Sequence, residues 1–330
     1  MKLLIDIRIL KEGTGGAETF FSNLIEGLAK KIGEDNIILL GCKNNIDFCQ
    51  KIYPNEFRTV KVPFDVSNPV IRFFSSFLVS LQILANIKEK YVIWHPFNTG
   101  AMPFIKAKRK VVTIHDTFVL DRRRDAKGFK YLFRKHDLIT TFNYADKVIG
   151  ISKYTVTQLG NYFTKFSDSK DIVLIRNPIE NKTNFDEKSP FEENFPFLLY
   201  VGVMRKQKNL FFLIRVFDEL RKRKSYSGKL VLAGKVDTVM SSQIMAMIHK
   251  LNLEEHIIIT GFVNNEELTY LYKNCDLFIF PSIYEGFGYP IVEAIQHGCK
   301  IVSSFSASLN EFDNSQITFA NPYDHNEFID

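Results

Sequence analysis

Asp276-Leu-Phe-Ile-Phe-Pro281-Ser-Ile-Tyr-Glu285-Gly286-Phe287-Gly288-Tyr-Pro290-Ile-Val-Glu293 joins an apolar run, a glycine-containing loop and the opening of a helix. The run Asp276–Pro281 reads as a buried strand closed by a proline. Pro290 then stands in a helix's first turn, where proline is tolerated. A loop between a strand's carboxyl end and a helix start offers unpaired amides and the positive end of the helix dipole, which together favour phosphate. Gly286 and Gly288 carry no side chain to keep a ligand off the backbone. Glu285 in the loop and Glu293 about one turn inside the helix are unfavourable beside phosphate unless they accept hydrogen bonds from neutral groups. Sugar and ribose hydroxyls are such groups.

The same strand-then-helix alternation extends in both directions. Upstream, strands are predicted at Lys2–Ile9, Asn36–Gly41, Tyr91–His95, Lys110–Ile114, Asp146–Ile151 and Asp171–Ile175. Helices such as Ala17–Ile32 lie between them, with Phe20, Phe21, Leu24, Ile25 and Leu28 at helical spacing. The pattern breaks in the polar, proline-marked stretch Asn177–Asn194 and then restarts. Strands follow at Phe195–Gly202, Lys229–Gly234, His256–Thr260, Asp276–Pro281 and Cys299–Ser303, separated by helices Leu210–Lys222, Ser241–Leu251, Glu266–Lys273 and Tyr289–His297. Strands that are apolar throughout suit parallel sheets covered on both faces. The expected fold is α/β, with two doubly wound domains at 1–185 and 186–330, facing each other so that ligands lie beyond the strands' carboxyl ends. At the end of the chain, Asp324 and Glu327 read as a capping box opening a helix that stops about one turn later, so the expectation is that C-terminal residues are missing.

Composition narrows the function classes. The 330 residues are 45% hydrophobic and 24% charged with no low-complexity tract, ordinary for a globular protein of two domains. Cys42, Cys49, Cys275 and Cys299 form no C-x-x-C pair, which reads as a reducing compartment. The first residues place Asp6 within their apolar run, as a strand does and a signal peptide does not. Val70–Ala85 is apolar but holds Arg72 and Gln82 and is too short to span a bilayer. It reads as a buried crossover helix, with a membrane-surface helix as the other reading. Net charge is +6, and eleven Lys/Arg stand against three Asp between Lys106 and Lys135. That cluster is either a solvated helix face or an attraction for anionic lipid or a pyrophosphate-linked acceptor. Nothing resembles a nucleic-acid module.

Further segments fit the quoted stretch. Val201-Gly202-Val203-Met-Arg205-Lys206-Gln207-Lys208-Asn209 closes another strand with a basic turn. Gly13-Thr-Gly15-Gly16-Ala-Glu18 follows the first strand, and Val112-Thr-Ile-His115-Asp116 ends a first-domain strand on a histidine. Taken together, Glu285 and Glu293 with seven residues between them, in Pro-Ser…Glu-Gly-Phe-Gly-Tyr-Pro…Glu-Ala…Gly, resemble the E-x7-E signature of retaining, GT-B-fold glycosyltransferases of family 4. The resemblance implies that Glu285 contacts the donor sugar, that the Gly286, Phe287 and Gly288 amides approach sugar and phosphate, and that Glu293 binds the ribose. It makes Lys208 the pyrophosphate lysine and Arg205 the nearest candidate for the pyrophosphate arginine, with Lys206 as substitute, since Val203 and Gln207 stand where relatives carry the arginine. It further implies that Gly15 and Gly16 lie near donor phosphate and acceptor, and His115 near the transferred sugar. Ser152-Lys-Tyr-Thr155 and Asn177-Pro178 resemble its first-domain punctuation; Pro178 replaces the usual Gly, so Asn177 receives no catalytic role.

The expected function is therefore a cytoplasmic, retaining hexosyltransferase in surface polysaccharide synthesis. Its donor is a nucleotide-diphosphate sugar, GDP-mannose by resemblance, and its acceptor a glycan or lipid-linked saccharide. The absence of a D-x-D motif implies no metal, and no cofactor is required. Peripheral contact with an anionic membrane is expected, and no nucleic-acid partner. The competing readings are a nucleotide-sugar epimerase, which would need no acceptor, and a non-catalytic donor-binding scaffold.

Overall fold

In the computed structural model the described residues are 1–10, 16–54, 56–63, 65, 69–97, 102, 105–120, 129–164, 171–179, 185–235, 238–313 and 315–330. They divide into two compact units, Met1–Pro178 and Ile179–Asp330. The second begins somewhat ahead of the 185/186 boundary set from sequence.

Unit 1 is a seven-stranded parallel sheet in the order β3-β2-β1-β4-β5-β6-β7. Its strands are β1 (Lys2–Asp6), β2 (Ile37–Gly41), β3 (Arg58–Lys61), β4 (Tyr91–His95), β5 (Arg109–Ile114), β6 (Lys147–Gly150) and β7 (Asp171–Leu174). β2 is buried at every position, and Leu4, Ile5, Ile93, Val112 and Ile114 are fully buried, as a sheet covered on both faces requires. Helix α1 (Gly16–Ile32) buries Phe20, Phe21, Ile25 and Ala29, carries Glu18 in its first turn and ends on Lys30 and Lys31, complementing the helix dipole at both ends. Further helices follow at α2 (Lys43–Ile52), α3 (Pro69–Asn86), α4 (Phe129–Tyr144) and α5 (Lys153–Tyr162). Ser152 caps the last of these by accepting from the Thr155 amide at 3.0 Å.

Helix α3 corrects the preferred sequence reading. Val79 and Ile83 are buried, but Ile71, Phe77, Leu78, Leu81 and Leu84 are each about half exposed. It is a crossover helix with one apolar face left in water.

Unit 2 is a six-stranded parallel sheet, β10-β9-β8-β11-β12-β13. Its strands are β8 (Phe197–Val201), β9 (Lys229–Ala233), β10 (Ile257–Gly261), β11 (Leu277–Phe280), β12 (Ile301–Ser304) and β13 (Ile317–Ala320). Its helices are α6 (Leu210–Lys222), α7 (Thr238–Lys250), α8 (Asn265–Asn274), α9 (Tyr289–Gln296) and α10 (His325–Ile329). The last packs Phe328 edge-on against Phe212 of α6, with ring centroids 5.1 Å apart. Asp324 caps it through the Asn326 amide, but Glu327 accepts from the Asn321 amide at 2.8 Å, not from that of Asp324. The reciprocal capping box expected there is thus replaced by a longer reach back.

In each sheet the strand order reverses beside the first strand, between β1 and β4 and between β8 and β11. The carboxyl ends of strands at such a reversal are where doubly wound folds hold ligands.

Candidate active site

The end of β8 is shaped by glycines. Gly202 (φ 148) and Gly234 (φ 133) cross so closely that a Cβ on Gly234 would lie 2.3 Å from the Gly202 carbonyl oxygen. Gly202 donates to the Ala233 carbonyl and Gly234 to that of Gly261, which ties the ends of β8, β9 and β10 together. The chain then enters a short 3-10 turn at Lys206–Lys208 and passes through Asn209, a left-handed residue (φ 60), into α6. Asn209 fixes that bend by donating its side-chain amide to the Pro322 carbonyl at 2.8 Å.

The loop after β11 is fastened to this turn. The Ile283 amide (2.9 Å) and the Ser282 hydroxyl (3.1 Å) both donate to the Gln207 carbonyl. Ser304 and Ser306 donate to the Ser282 carbonyl, and Ser308 donates to the carbonyls of Glu285 (3.0 Å) and Phe287 (3.1 Å). Hydroxyls thus take up the carbonyls of Ser282, Glu285 and Phe287 and hold the loop in place. The N–H groups of Gly286, Phe287 and Gly288 meet no acceptor among the described residues. Gly288, at φ 103, turns directly into α9, whose first positions are Tyr289 and Pro290.

The side chains carry complementary charge. Lys208 donates its ammonium to the Glu285 carboxylate, the two being 14% and 13% exposed, and its Nζ lies 5.2 Å from the centre of the Phe280 ring. Arg205 is exposed, and its guanidinium makes no ion pair among the described residues. Lys206, its substitute, is also exposed. Glu293 accepts from the Tyr272 hydroxyl at 3.1 Å. Burial first, and then the Glu293 charge, raise the Tyr272 phenol well above its ordinary pKa, which keeps it a donor. The Phe287 ring is buried against Tyr289 and Phe312 (5.2 and 5.8 Å), so the backbone is the part of Phe287 left to meet a ligand. Unit 2 thus brings together Lys208, Glu285 and the Gly286–Gly288 amides.

Unit 1 holds the remaining residues named from sequence. His115, just past β5, donates Nε2–H to the Pro96 carbonyl at 2.7 Å, lies parallel to Phe97 (5.8 Å) and meets Phe20 of α1 edge-on (4.8 Å). Burial pushes its pKa down to about 4, only partly opposed by the Pro96 carbonyl, so it is neutral at physiological pH. Gly16 is the exposed first residue of α1. Gly13, Thr14 and Gly15 lie outside the described residues.

The sequence model of Glycosyltransferase Family 4 matches residues 14–182, and that of Glycosyl transferases group 1 matches residues 181–324. The chain belongs to glycosyltransferase family 4. An uncharacterized glycosyltransferase of Methanocaldococcus jannaschii is 33% identical over 40% of the chain. The serotype-specific mannosyltransferase WbdA of Escherichia coli is 27% identical over 56%. The chain spans only 33% and 24% of the length of these two relatives. A Campylobacter jejuni N-acetylgalactosamine-N,N'-diacetylbacillosaminyl-diphospho-undecaprenol 4-alpha-N-acetylgalactosaminyltransferase is 26% identical over 90% of the chain and 80% of its own. Among solved structures, the sucrose-phosphate synthase of Thermosynechococcus elongatus superposes with a TM-score of 0.76 at 17% identity, covering 100% of the chain and 88% of its own. That likeness shows the GT-B fold and nothing finer.

Two features of this family 4 chain escaped the sequence reading. One is the serine lattice under the donor loop, whose signal was the run Ser303-Ser304-Phe-Ser306-Ala-Ser308. The other is a buried charge cluster in unit 1. Asp6 receives Arg8 Nε (2.7 Å) and Nη2 (2.8 Å) and lies 2.8 Å from His95 Nδ1, with all three residues 5% exposed or less. Burial alone would raise the Asp6 pKa, but Arg8 and His95 outweigh it and hold the carboxyl well below its ordinary range. From sequence alone Asp6 and Arg8 read only as part of a strand.

Proposed function

We propose that this chain transfers a hexose, with retention, from a nucleotide-diphosphate sugar to a glycan or lipid-linked saccharide in surface polysaccharide synthesis. GDP-mannose is the proposed donor, in keeping with the mannosyltransferase among its relatives. The observation that carries the reading is the Lys208–Glu285 pair beside loop amides that meet no acceptor among the described residues, at the start of α9. Departure of the diphosphate concentrates negative charge on oxygen. A lysine, an exposed Arg205 and preorganised amides stabilise that charge without a metal ion. Glu285 then accepts from a sugar hydroxyl, and Glu293, already oriented by Tyr272, accepts from the ribose. In family 4, His115 would lie near the transferred sugar; with Nε2–H donated to Pro96, the other nitrogen of the neutral ring is an acceptor.

Replacing Glu285 by Ala is expected to lower transfer from a radiolabelled donor by roughly a hundred-fold or more, as loss of one preorganised stabilising group does. Rates close to wild type would sink the assignment.

We infer that the same chain works on an anionic membrane surface through α3. That helix carries no acidic residue, and its half-exposed Ile71, Phe77, Leu78, Leu81 and Leu84 form the apolar side of an interfacial helix. Neighbouring α4 exposes Leu132 and Arg134. No described helix is long and apolar enough to cross a membrane. Flotation with phosphatidylglycerol vesicles should retain the wild type and lose a Leu78→Asp, Leu81→Asp variant. Equal flotation of both, or loss of a dimer instead, would overturn this.

A further inference from the structure

Tyr200 lies beneath the donor loop and has work that the free protein does not give it. Its ring is fully buried, stacked on Phe280 with centroids 5.9 Å apart and planes 14° from parallel. Its hydroxyl is buried too, yet makes no hydrogen bond among the described residues. Leaving a buried hydroxyl unsatisfied is costly, and protein interiors rarely tolerate one without a use. The hydroxyl sits under the bend where β8 gives way to the basic turn: a Cβ on Gly202 would lie 3.0 Å from it. Phe280, on which Tyr200 stacks, is also the ring beneath the Lys208 ammonium. Burial raises the Tyr200 phenol well above its ordinary pKa, and the negative charge of Glu285 raises it further. The phenol therefore stays protonated and lies within the field of that carboxylate.

Glu285, Lys208 and Tyr200 then form an incomplete set. In the free protein Lys208 neutralises Glu285. A bound diphosphate competes for that ammonium, because phosphate oxygens form strong charge-assisted hydrogen bonds with lysine. A carboxylate only 13% exposed is left short of a donor when Lys208 leaves, and Tyr200 holds the unused donor on the neighbouring strand. We propose that Tyr200 is a positioning residue that donates its hydroxyl to Glu285 when Lys208 turns to the diphosphate of a bound nucleotide. The carboxylate would thereby keep a hydrogen-bond donor and stay oriented toward the sugar. This rests on the donor-site reading above.

The test is Tyr200→Phe, alone and combined with Glu285→Gln, with UDP and GDP as calorimetric probes and melting as the control. Tyr200→Phe should melt at or above the wild-type temperature, since it removes an unsatisfied hydroxyl. It should weaken the nucleotide that wild type binds by about ten-fold, the size of one hydrogen bond to a charged group. In the Glu285→Gln background, where no charge awaits a donor, the same change should cost no further affinity. A lower melting temperature, an unchanged affinity, or an equal loss in both backgrounds would each overturn the proposal. If Lys208→Ala still weakens the nucleotide in those cases, the donor-site reading survives without Tyr200. If wild type binds neither UDP nor GDP, both readings fall together.

Discussion

The two units place charge at their strand ends in opposite ways. In unit 2 the charged pair Lys208–Glu285 is partly exposed, and the polar contacts of its loop run from serine hydroxyls to loop carbonyls. In unit 1 the charges Asp6 and Arg8 are sealed inside with His95, and the strand-end His115 is neutral among aromatic rings. Unit 2 uses hydrogen bonds to hold a loop whose Gly286–Gly288 amides meet no acceptor among the described residues. Unit 1 uses an internal ion pair to fix the ends of β1 and β4, and presents an uncharged ring. The first arrangement suits recognition of an anion.

The comparison breaks most readily at Asp6. Asp6→Asn keeps the shape but leaves Arg8 as a buried cation without its counter-charge, and removing one partner of such a pair costs about 3–5 kcal/mol. Hydrogen exchange should report the loss in β1 and β4 and leave unit 2 amides near wild type. A loss below about 1 kcal/mol would mean that the pair is not what holds these strand ends.

The second break is at Gly234. Its Cβ would lie 2.3 Å from the Gly202 carbonyl oxygen at a backbone angle (φ 133) that side chains rarely adopt. The clashing atom is main chain and cannot rotate away. Gly234→Ala should cost about 3 kcal/mol or more in unit 2 and should also weaken nucleotide binding, because the displaced segment leads to Lys208. Stability lost with affinity intact would separate the glycine crossing from the site.

These two positions also mark what sequence can convey. β4 was read to the residue, and most other strands to within one or two, because their apolar runs are short, β-branched and bounded by turn residues. β3 was missed: Arg58-Thr-Val-Lys61 has a single buried residue at a sheet edge, too little for any periodicity. β13, Ile317–Ala320, escapes for the same reason: it too is an edge strand that buries a single residue. Glu285, Glu293, Lys208 and the glycine loop were legible because ligand-facing chemistry is local, with loop and helix start contiguous in the chain. Asp6 and His95, 89 residues apart, meet only once β1 and β4 pair. Glu293's partner Tyr272 comes likewise from a different helix. Pairings across strands carry no short-range signal, so the buried cluster and the serine lattice had to await the fold.

The smallest effect is the one that best distinguishes the two acids and bases of unit 1. His115 has its pKa lowered from 6.5 to about 4, so the folded chain refuses a proton that the unfolded chain accepts. Its contribution is complete above about pH 6.5 and is lost as pH falls toward 4. For a partly exposed ring this amounts to about 1–2 kcal/mol over the window. Asp6 behaves differently: its carboxyl is held below 3.8, so its contribution is present above that value and is lost only as pH falls further. Acid unfolding of unit 1 should therefore proceed in two stages. His115→Phe, which keeps a ring between Phe20 and Phe97, should abolish the slope between pH 6.5 and 4 and leave the lower stage in place. If the upper slope persists in that variant, groups other than His115 carry it, and the lowered pKa assigned to that ring is not what stabilises unit 1 there.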